Sequence, residues 1–370
     1  MPKIRVLVVD DSVVMRRMIS DVLERDPQLE VVGVAANGRI ALQRIPQVNP
    51  DLLTLDVEMP EMDGVTTVRE LRKTYPRLPV IMFSTLTLRG AETTLDALSA
   101  GANDYVTKPA NLGSVTEGLQ RLEGELIPRI KAHCRHLLPA EKLPLPPAQP
   151  VRTLPPGTGA TTPKSNLPIP SARVAALCIG TSTGGPNALA DVFAALRSQP
   201  LRLPILVVQH MPPLFTKMLA ERLATISGLP FHEGEDGQVV EPGHAYLAPG
   251  GKHMIVRRDG TQVRVRLNEN PPENSCRPAV DVLFRSAVET YGAGVLGVIM
   301  TGMGQDGLRG CQLIREHGGR VLAQDEATSV VWGMPSYVVH AGLAEAVLPL
   351  PQLAPGILQR IQTRLPGGMG

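Results

Sequence analysis

Short apolar runs separated by amphipathic stretches recur along the chain in two blocks. In the first, Ile4 to Val9, Val31 to Ala35, Leu52 to Leu55, Val80 to Phe83 and Tyr105 to Val106 read as five strands. After the first run, Met15, Met18, Ile19 and Val22 fall at i, i+3, i+4 and i+7, one apolar face of a helix. A stripe of Leu112, Val115, Leu119, Leu122 and Leu126 predicts a helix from about Asn111 that Pro128 bends or ends. In the second block, Val174 to Ile179, Ile205 to Gln209, Val295 to Met300 and Arg320 to Ala323 read as strands. Segments 187–197, 214–226, 278–290 and 306–317 read as the helices that cover them. Residues 252–267 alternate around Asp259-Gly260, a type I′ hairpin signal. The alternation predicts an α/β protein with two doubly wound parallel sheets, the second carrying an antiparallel β appendage.

Between the blocks, Leu137 to Ser171 holds ten of the chain's 35 prolines and almost no periodicity, the composition of a stiff, extended linker. The expected division is therefore 1–125, a connecting helix and linker over 126–171, and 172–365. The 370 residues are enough for two full cores, and the net charge of +2 is spread evenly, giving no basic stripe for nucleic acid. The N-terminus enters a strand pattern without a basic segment and apolar core of a signal peptide, and no apolar run approaches about 18 residues. A cytoplasmic protein that is not membrane-embedded is expected. Cys134, Cys178, Cys276 and Cys311 are scattered without metal-type spacing, which argues against structural disulfides and zinc. His133 and His136 are expected to be solvated.

The carboxyl ends of the first block's strands carry its chemistry. Asp10 and Asp11 close the first strand, Asp56 the third, Ser84 the fourth, and Lys108 follows the fifth. Carboxylates that converge there repel one another, and hard oxygen ligands with room for water suit Mg²⁺. Taken singly, an Asp at a strand end caps the next helix and a Lys is a solvated charge. Together, with Lys108-Pro109 just after Tyr105, they make roughly residues 1 to 125 resemble a response-regulator receiver domain of the flavodoxin-like kind. The resemblance implies phosphorylation of Asp56 by a histidine kinase and Mg²⁺ held by Asp10, Asp11, Asp56 and the main-chain carbonyl of Glu58. It also implies that Ser84 and Tyr105 are a switch pair and that Lys108 grips the phosphoryl group.

In the second block, VAALCIGTSTGGP reads as strand, tight turn and helix, lifting Ser182 to the sheet's carboxyl edge between Gly180 and Gly184. G-x-S-x-G is a strained turn that exposes a serine nucleophile and leaves the next backbone N–H for an oxyanion. The same glycines also suit a phosphate loop at a helix N-terminus, although the Lys-Ser/Thr ending of a P-loop is missing. A serine needs a base, and the base needs a carboxylate to fix its tautomer. Among this block's histidines, only His210 directly follows an apolar strand, ILVVQH. Asp306 stands in GVIMTGMGQDG, another strand ending in a glycine-rich loop, with Asp325 as its nearest rival and Asp281 inside a predicted helix. The Thr183 N–H and one near Met303 are the oxyanion candidates.

GTSTGGP, VVQHMP, LAPGGKHM, SCRPAVDVLF, VIMTGMGQDG and AQDEATSVVWGMP are similar to the catalytic domain of the chemotaxis protein-glutamate methylesterase and glutamine deamidase family. That resemblance implies a Rossmann-like hydrolase domain with Ser182 as nucleophile, His210 as general base and then acid, and Asp306 as orienter. It implies γ-glutamyl methyl esters on chemoreceptor helices as substrate, no cofactor in the second domain, and inhibition by the unphosphorylated receiver. One active site per chain requires no dimer, so a monomer is expected.

Overall fold

The computed structural model describes residues 3–108, 115–138, 172–197, 199 and 201–362. The first sheet is built from β1 (Ile4–Val9), α1 (Val13–Glu24), β2 (Leu29–Ala35), α2 (Gly38–Val48), β3 (Leu52–Asp56), α3 (Gly64–Thr74), β4 (Val80–Ser84), α4 (Leu88–Ser99), β5 (Asp104–Thr107) and α5 (Val115–His133). Its strands run parallel in the order β2-β1-β3-β4-β5. Helices cover both faces, so β1, β3 and β4 read as nearly unbroken apolar runs. Ser12, Asn37, Asp63 and Thr87 start α1 to α4, each side chain accepting a backbone N–H three residues on. With Ser12 as the cap of α1, Asp10 and Asp11 are free for other work.

Two expectations need correction here. α5 passes through Pro128 and continues to His133, because Leu126, Ile127, Ile130 and then Cys134 pack into one core with Ile4, Val6 and Val8. Burial on both sides of the proline outweighs the hydrogen bond it removes. The helix therefore carries first-domain core past residue 125; its expected start at Asn111 and Leu112 lies outside the described residues. His133 is also not solvated: its side chain is 3% exposed, with Nε2 3.6 Å from Asp104 Oδ2. His136 is exposed as expected. Residues 139–171 of the expected linker lie outside the described residues.

The second sheet is built from β6 (Ala176–Thr181), α6 (Gly185–Leu196), β7 (Ile205–Gln209), α7 (Phe215–Ser227), β8 (Phe231–Glu233) and β9 (Ala245–Leu247). Then come β10 (His253–Asp259), β11 (Gln262–Asn268), α8 (Val280–Tyr291), β12 (Val295–Ile299), α9 (Leu308–Glu316), β13 (Arg320–Gln324), α10 (Met334–His340), β14 (Ala346–Leu348) and α11 (Leu350–Gln362). Seven parallel strands take the order β14-β13-β12-β6-β7-β9-β8, and β10 pairs with β11 as a separate hairpin. In the hairpin Asp259 pairs with Gln262, so the loop residues are Gly260 and Thr261. Gly260 has φ +60° while Thr261 stays out of the left-handed region, which matches a type II′ rather than the expected type I′ turn. After β6 the chain builds outward through β7, then returns to the other side of β6 with β12. That reversal opens a crevice at the carboxyl ends of β6 and β12, where open α/β sheets bind ligands.

The two units share a packed face. Leu95, Leu98, Ala102 and Tyr105 of the first belong to one buried cluster with Phe215, Leu219 and Ala220 of the second. Asn187 Nδ2 donates to the carbonyls of Leu98 (2.9 Å) and Ala102 (3.4 Å), and Arg222 pairs with Asp96 at 3.2 Å.

Candidate functional site

Ser182 is the first residue after β6, and its backbone is tied on three sides. Its N–H donates to Thr301 O (3.0 Å), and its carbonyl accepts from Gly185 N (2.8 Å) and Gln209 Nε2 (3.0 Å). The strain expected at the serine falls elsewhere: Ser182 is not left-handed, whereas Gly184 has φ +78°. Gly180 answers a different need, because a Cβ there would lie 2.5 Å from Val280 Cγ1. Among the described residues Ser182 Oγ makes no hydrogen bond, and the N–H groups of Thr183 and Met303 donate to no protein acceptor.

His210 follows β7, its own N–H bonded to Thr181 O at 3.2 Å. Its ring Nε2 lies 2.8 Å from Asp306 Oδ2. Asp306, in the loop after β12, is 1% exposed and held by an array of donors. It accepts from the Val280 (2.6 Å) and Asp281 (3.1 Å) N–H groups at the N-terminus of α8, from Asn274 Nδ2 (2.9 Å) and from Gly307 N (3.0 Å). Burial opposes its charge, but the bond to His210 and these N–H groups outweigh it and hold the carboxyl below its usual range. Burial likewise opposes charge on His210; the hydrogen bonds to Asp306 and Cys276 overcome it and push the imidazole up to about 10.

The rival carboxylates have other duties. Asp325 accepts from Thr328 N and Oγ1, closing a local turn. Asp281 accepts from Gly310 N and Asn274 Nδ2, and burial beside Asp306 raises it to about 6. Asn274 thus bridges two carboxylates, a contact for which the Asn- and Pro-rich loop sequence gave no register. Cys276 was also passed over: its Sγ lies 3.5 Å from His210 Nδ1 across 66 residues of chain.

The cleft holding Ser182 and His210 is roofed by the first domain's Tyr105, Asp104 and Arg129, leaving about 10 Å³, room for about one water. Arg129 Nη1 grips both oxygens of Asp104 (2.9 and 2.8 Å) and reaches Thr183 Oγ1 at 3.5 Å. Nothing in the periodicity of α5 marks Arg129 for that contact, because its partners come from the start of β5 and from the loop after β6.

In the first domain, Asp10, Asp11 and Asp56 bring carboxylate oxygens within 4.8 Å of one another. Lys108 Nζ bridges Asp10 Oδ2 (2.9 Å) and Asp56 Oδ2 (2.8 Å). Burial, with Asp10 nearby, raises Asp56 to about 6 against the opposing pull of Lys108. Clustered hard oxygens facing a cavity of about 230 Å³ fit a hydrated Mg²⁺. The Glu58 side chain turns outward to Arg89 at 3.4 Å, which leaves its main-chain carbonyl as the relevant donor. Ser84 Oγ donates to Gly90 O at 3.0 Å, and Tyr105 is buried against the second domain.

Comparison with known proteins gives the same two parts. Residues 6–120 match the response regulator receiver domain family and 177–357 match CheB methylesterase. A protein-glutamate methylesterase/protein-glutamine glutaminase of Trichodesmium erythraeum is 51% identical over 361 residues, covering 98% of this chain and 100% of its own. A namesake from Nocardioides sp. is 53% identical over 366 residues, covering 99% and 98%. The Thermotoga maritima CheB methylesterase catalytic domain is 40% identical, with a TM-score of 0.49, over 51% of this chain and 99% of that one.

Proposed function

This chain belongs to the CheB methylesterase family of hydrolases and carries a receiver domain ahead of the hydrolase domain, and on that premise we propose that Ser182, His210 and Asp306 are its catalytic triad. Its substrates in this reading are glutamyl methyl esters and glutamine amides on the cytoplasmic helices of chemoreceptors. The observation that carries the reading is the 2.8 Å His210–Asp306 bond, held by the N-terminus of α8, in the same cleft as an unengaged serine hydroxyl.

With Nε2–H given to Asp306, the lone pair of the imidazole is on Nδ1, and that nitrogen takes the Ser182 proton as Oγ attacks the glutamyl carbonyl. The N–H groups of Thr183 and Met303 receive the oxyanion that forms. His210 then returns the proton to the leaving oxygen and methanol departs. Water, deprotonated by the same imidazole, hydrolyses the acyl-enzyme to glutamate. An amide presents the same carbonyl with ammonia leaving, so deamidation uses the same residues.

Asp56 is the phosphorylation site in this reading, with a histidine kinase as donor. Asp10, Asp11, Asp56 and the Glu58 carbonyl would hold Mg²⁺, which when bound offsets the charge that develops as the phosphoryl group arrives. Lys108 grips the added oxygens, and Ser84 turns from Gly90 O toward them. Tyr105 moves with Ser84, so its contact on Phe215 breaks and the roof over Ser182 loosens. The receiver spans 1–125 with the rest of α5 as its extension, the linker occupies the remainder of 126–171, and the hydrolase spans 172–365. The protein works as a cytoplasmic monomer; no described helix is long and apolar enough to cross a membrane.

The test is methanol release from membranes bearing methylated chemoreceptors. The wild-type chain releases methanol, and Ser182→Ala loses more than about 10³-fold of that rate. Equal rates in the two proteins would remove the serine mechanism.

A further inference from the structure

The sequence argued against zinc because its four cysteines are scattered without metal-type spacing, yet the fold assembles a cysteine–histidine pair from distant segments. Cys276 Sγ lies 3.5 Å from His210 Nδ1. A tetrahedral zinc with thiolate at about 2.3 Å and imidazole at about 2.1 Å sets those two atoms about 3.6 Å apart. The opposite ring nitrogen is bonded to Asp306 at 2.8 Å, and carboxylate–histidine–metal relays use that arrangement to orient a ligand imidazole. The three ligand-type atoms of His210, Cys276 and Asp306 all fall within 4.8 Å of one another. Among the described residues the remaining thiols join no such group: Cys134, Cys178 and Cys311 are fully buried, and burial pushes each of them up.

We propose that Cys276 and His210 form an inhibitory site for a thiophilic divalent cation, Zn²⁺, at the His210 margin of the hydrolase cleft. On binding, the Cys276 thiol and the His210 imidazolium each release a proton to solvent, and the ring then donates its Nδ1 lone pair, with Asp306 retaining Nε2–H and water filling the open positions. That lone pair is the one the serine mechanism needs, so the occupied enzyme has no base. The inhibition is reversible by chelation and independent of phosphorylation chemistry at Asp56. The inhibitory effect rests on the reading of His210 as the catalytic base; the binding of the metal does not.

The experiment uses the full chain in excess Mg²⁺, which keeps the receiver carboxylates occupied. Cobalt titration is expected to give one equivalent of a near-ultraviolet thiolate-to-cobalt charge-transfer band that Zn²⁺ displaces. Cys276→Ser abolishes the band, and His210→Gln, which keeps the thiol, weakens cobalt binding at least about tenfold. In parallel, methanol release by the wild type, normalised to its own zinc-free rate, falls about elevenfold at zinc ten times its dissociation constant. Cys276→Ser, normalised likewise, falls by less than about twofold under the same mass action. A missing charge-transfer band, a band that survives in Cys276→Ser, or equal zinc inhibition in both proteins would each overturn the proposal. If the zinc-free chain released no methanol the hydrolase reading would fail by itself, and the cobalt spectrum would still decide the site.

Discussion

Tyr105 of the receiver lies flat on Phe215 of the hydrolase domain, ring centroids 4.9 Å apart and planes 8° from parallel. Tyr105 ends one sheet and Phe215 opens α7 beside the cleft of the other, so a residue assigned to the receiver's switch is itself part of the roof over Ser182. No long relay is needed. Any movement of that ring toward Ser84 removes apolar contact from the interface that closes the cleft.

The rim of the same interface can be loosened without touching either core. Asn187→Ala deletes the hydrogen bonds to Leu98 O and Ala102 O. A net loss of about 0.5–1.5 kcal/mol opens the closed form about two- to tenfold more often. Methanol release by the unphosphorylated chain should rise by that factor while the phosphorylated rate stays put. An unchanged basal rate would show that these bonds do not hold the roof.

His210 must be neutral to accept a proton, and its partners push it up to about 10. The acid limb of kcat/KM should therefore lie well above the ordinary imidazole value of about 6.5. Asp306→Asn removes one of the two partners that raise it and leaves Cys276 in place, so the limb moves part of the way down while turnover falls on the order of 10⁴-fold. A wild-type limb near neutrality, unmoved in Asp306→Asn, would contradict this electrostatic account.

Asp56 is raised from 3.8 to about 6 in the folded chain, so its ionisation opposes folding. Stability from this group is fully present below about pH 4 and is lost as pH rises through about 6. Asp56→Asn should raise receiver stability by about 2–3 kcal/mol at about pH 7.5, with the gain shrinking toward zero as pH falls to about 4. Denaturant unfolding of the two proteins across that range measures it, and a gain that does not depend on pH would assign the effect to something other than the carboxylate's charge.

Gly180→Ala places a methyl group against Val280, whose N–H holds Asp306. Overpacking of this kind costs about 1–3 kcal/mol. The account predicts a lower thermal midpoint together with a kcat reduced at least about tenfold, because the shifted helix N-terminus misplaces the carboxylate. Loss of stability with normal kcat would separate Gly180 from the site.

Much of this was legible along the chain. Strands flanked by covering helices marked both sheets, and the side chains proposed for the triad lie at carboxyl strand ends, Ser182 and His210 directly after β6 and β7 and Asp306 in the glycine-rich loop after β12. What sequence could not supply were contacts between segments with no shared period. Arg129 meets Asp104 and Thr183, Asn274 bridges Asp281 and Asp306, and Cys276 faces His210 only because the sheets and their interface bring them together. Strands β8, β9 and β14 were missed because three residues are too few to show an alternation. His133 was misjudged because its burial depends on α5 continuing past Pro128 to reach Asp104.

The most direct test of the central claim, a serine hydrolase closed by its own receiver, is the rate of methanol release from methylated chemoreceptor membranes before and after adding a small acyl phosphate with Mg²⁺. The wild-type chain should accelerate at least about tenfold, the equivalent of about 1.4 kcal/mol of docking released, while Asp56→Asn stays at its starting rate. Wild-type rates that match with and without the phosphodonor, or an equal acceleration in Asp56→Asn, would contradict it.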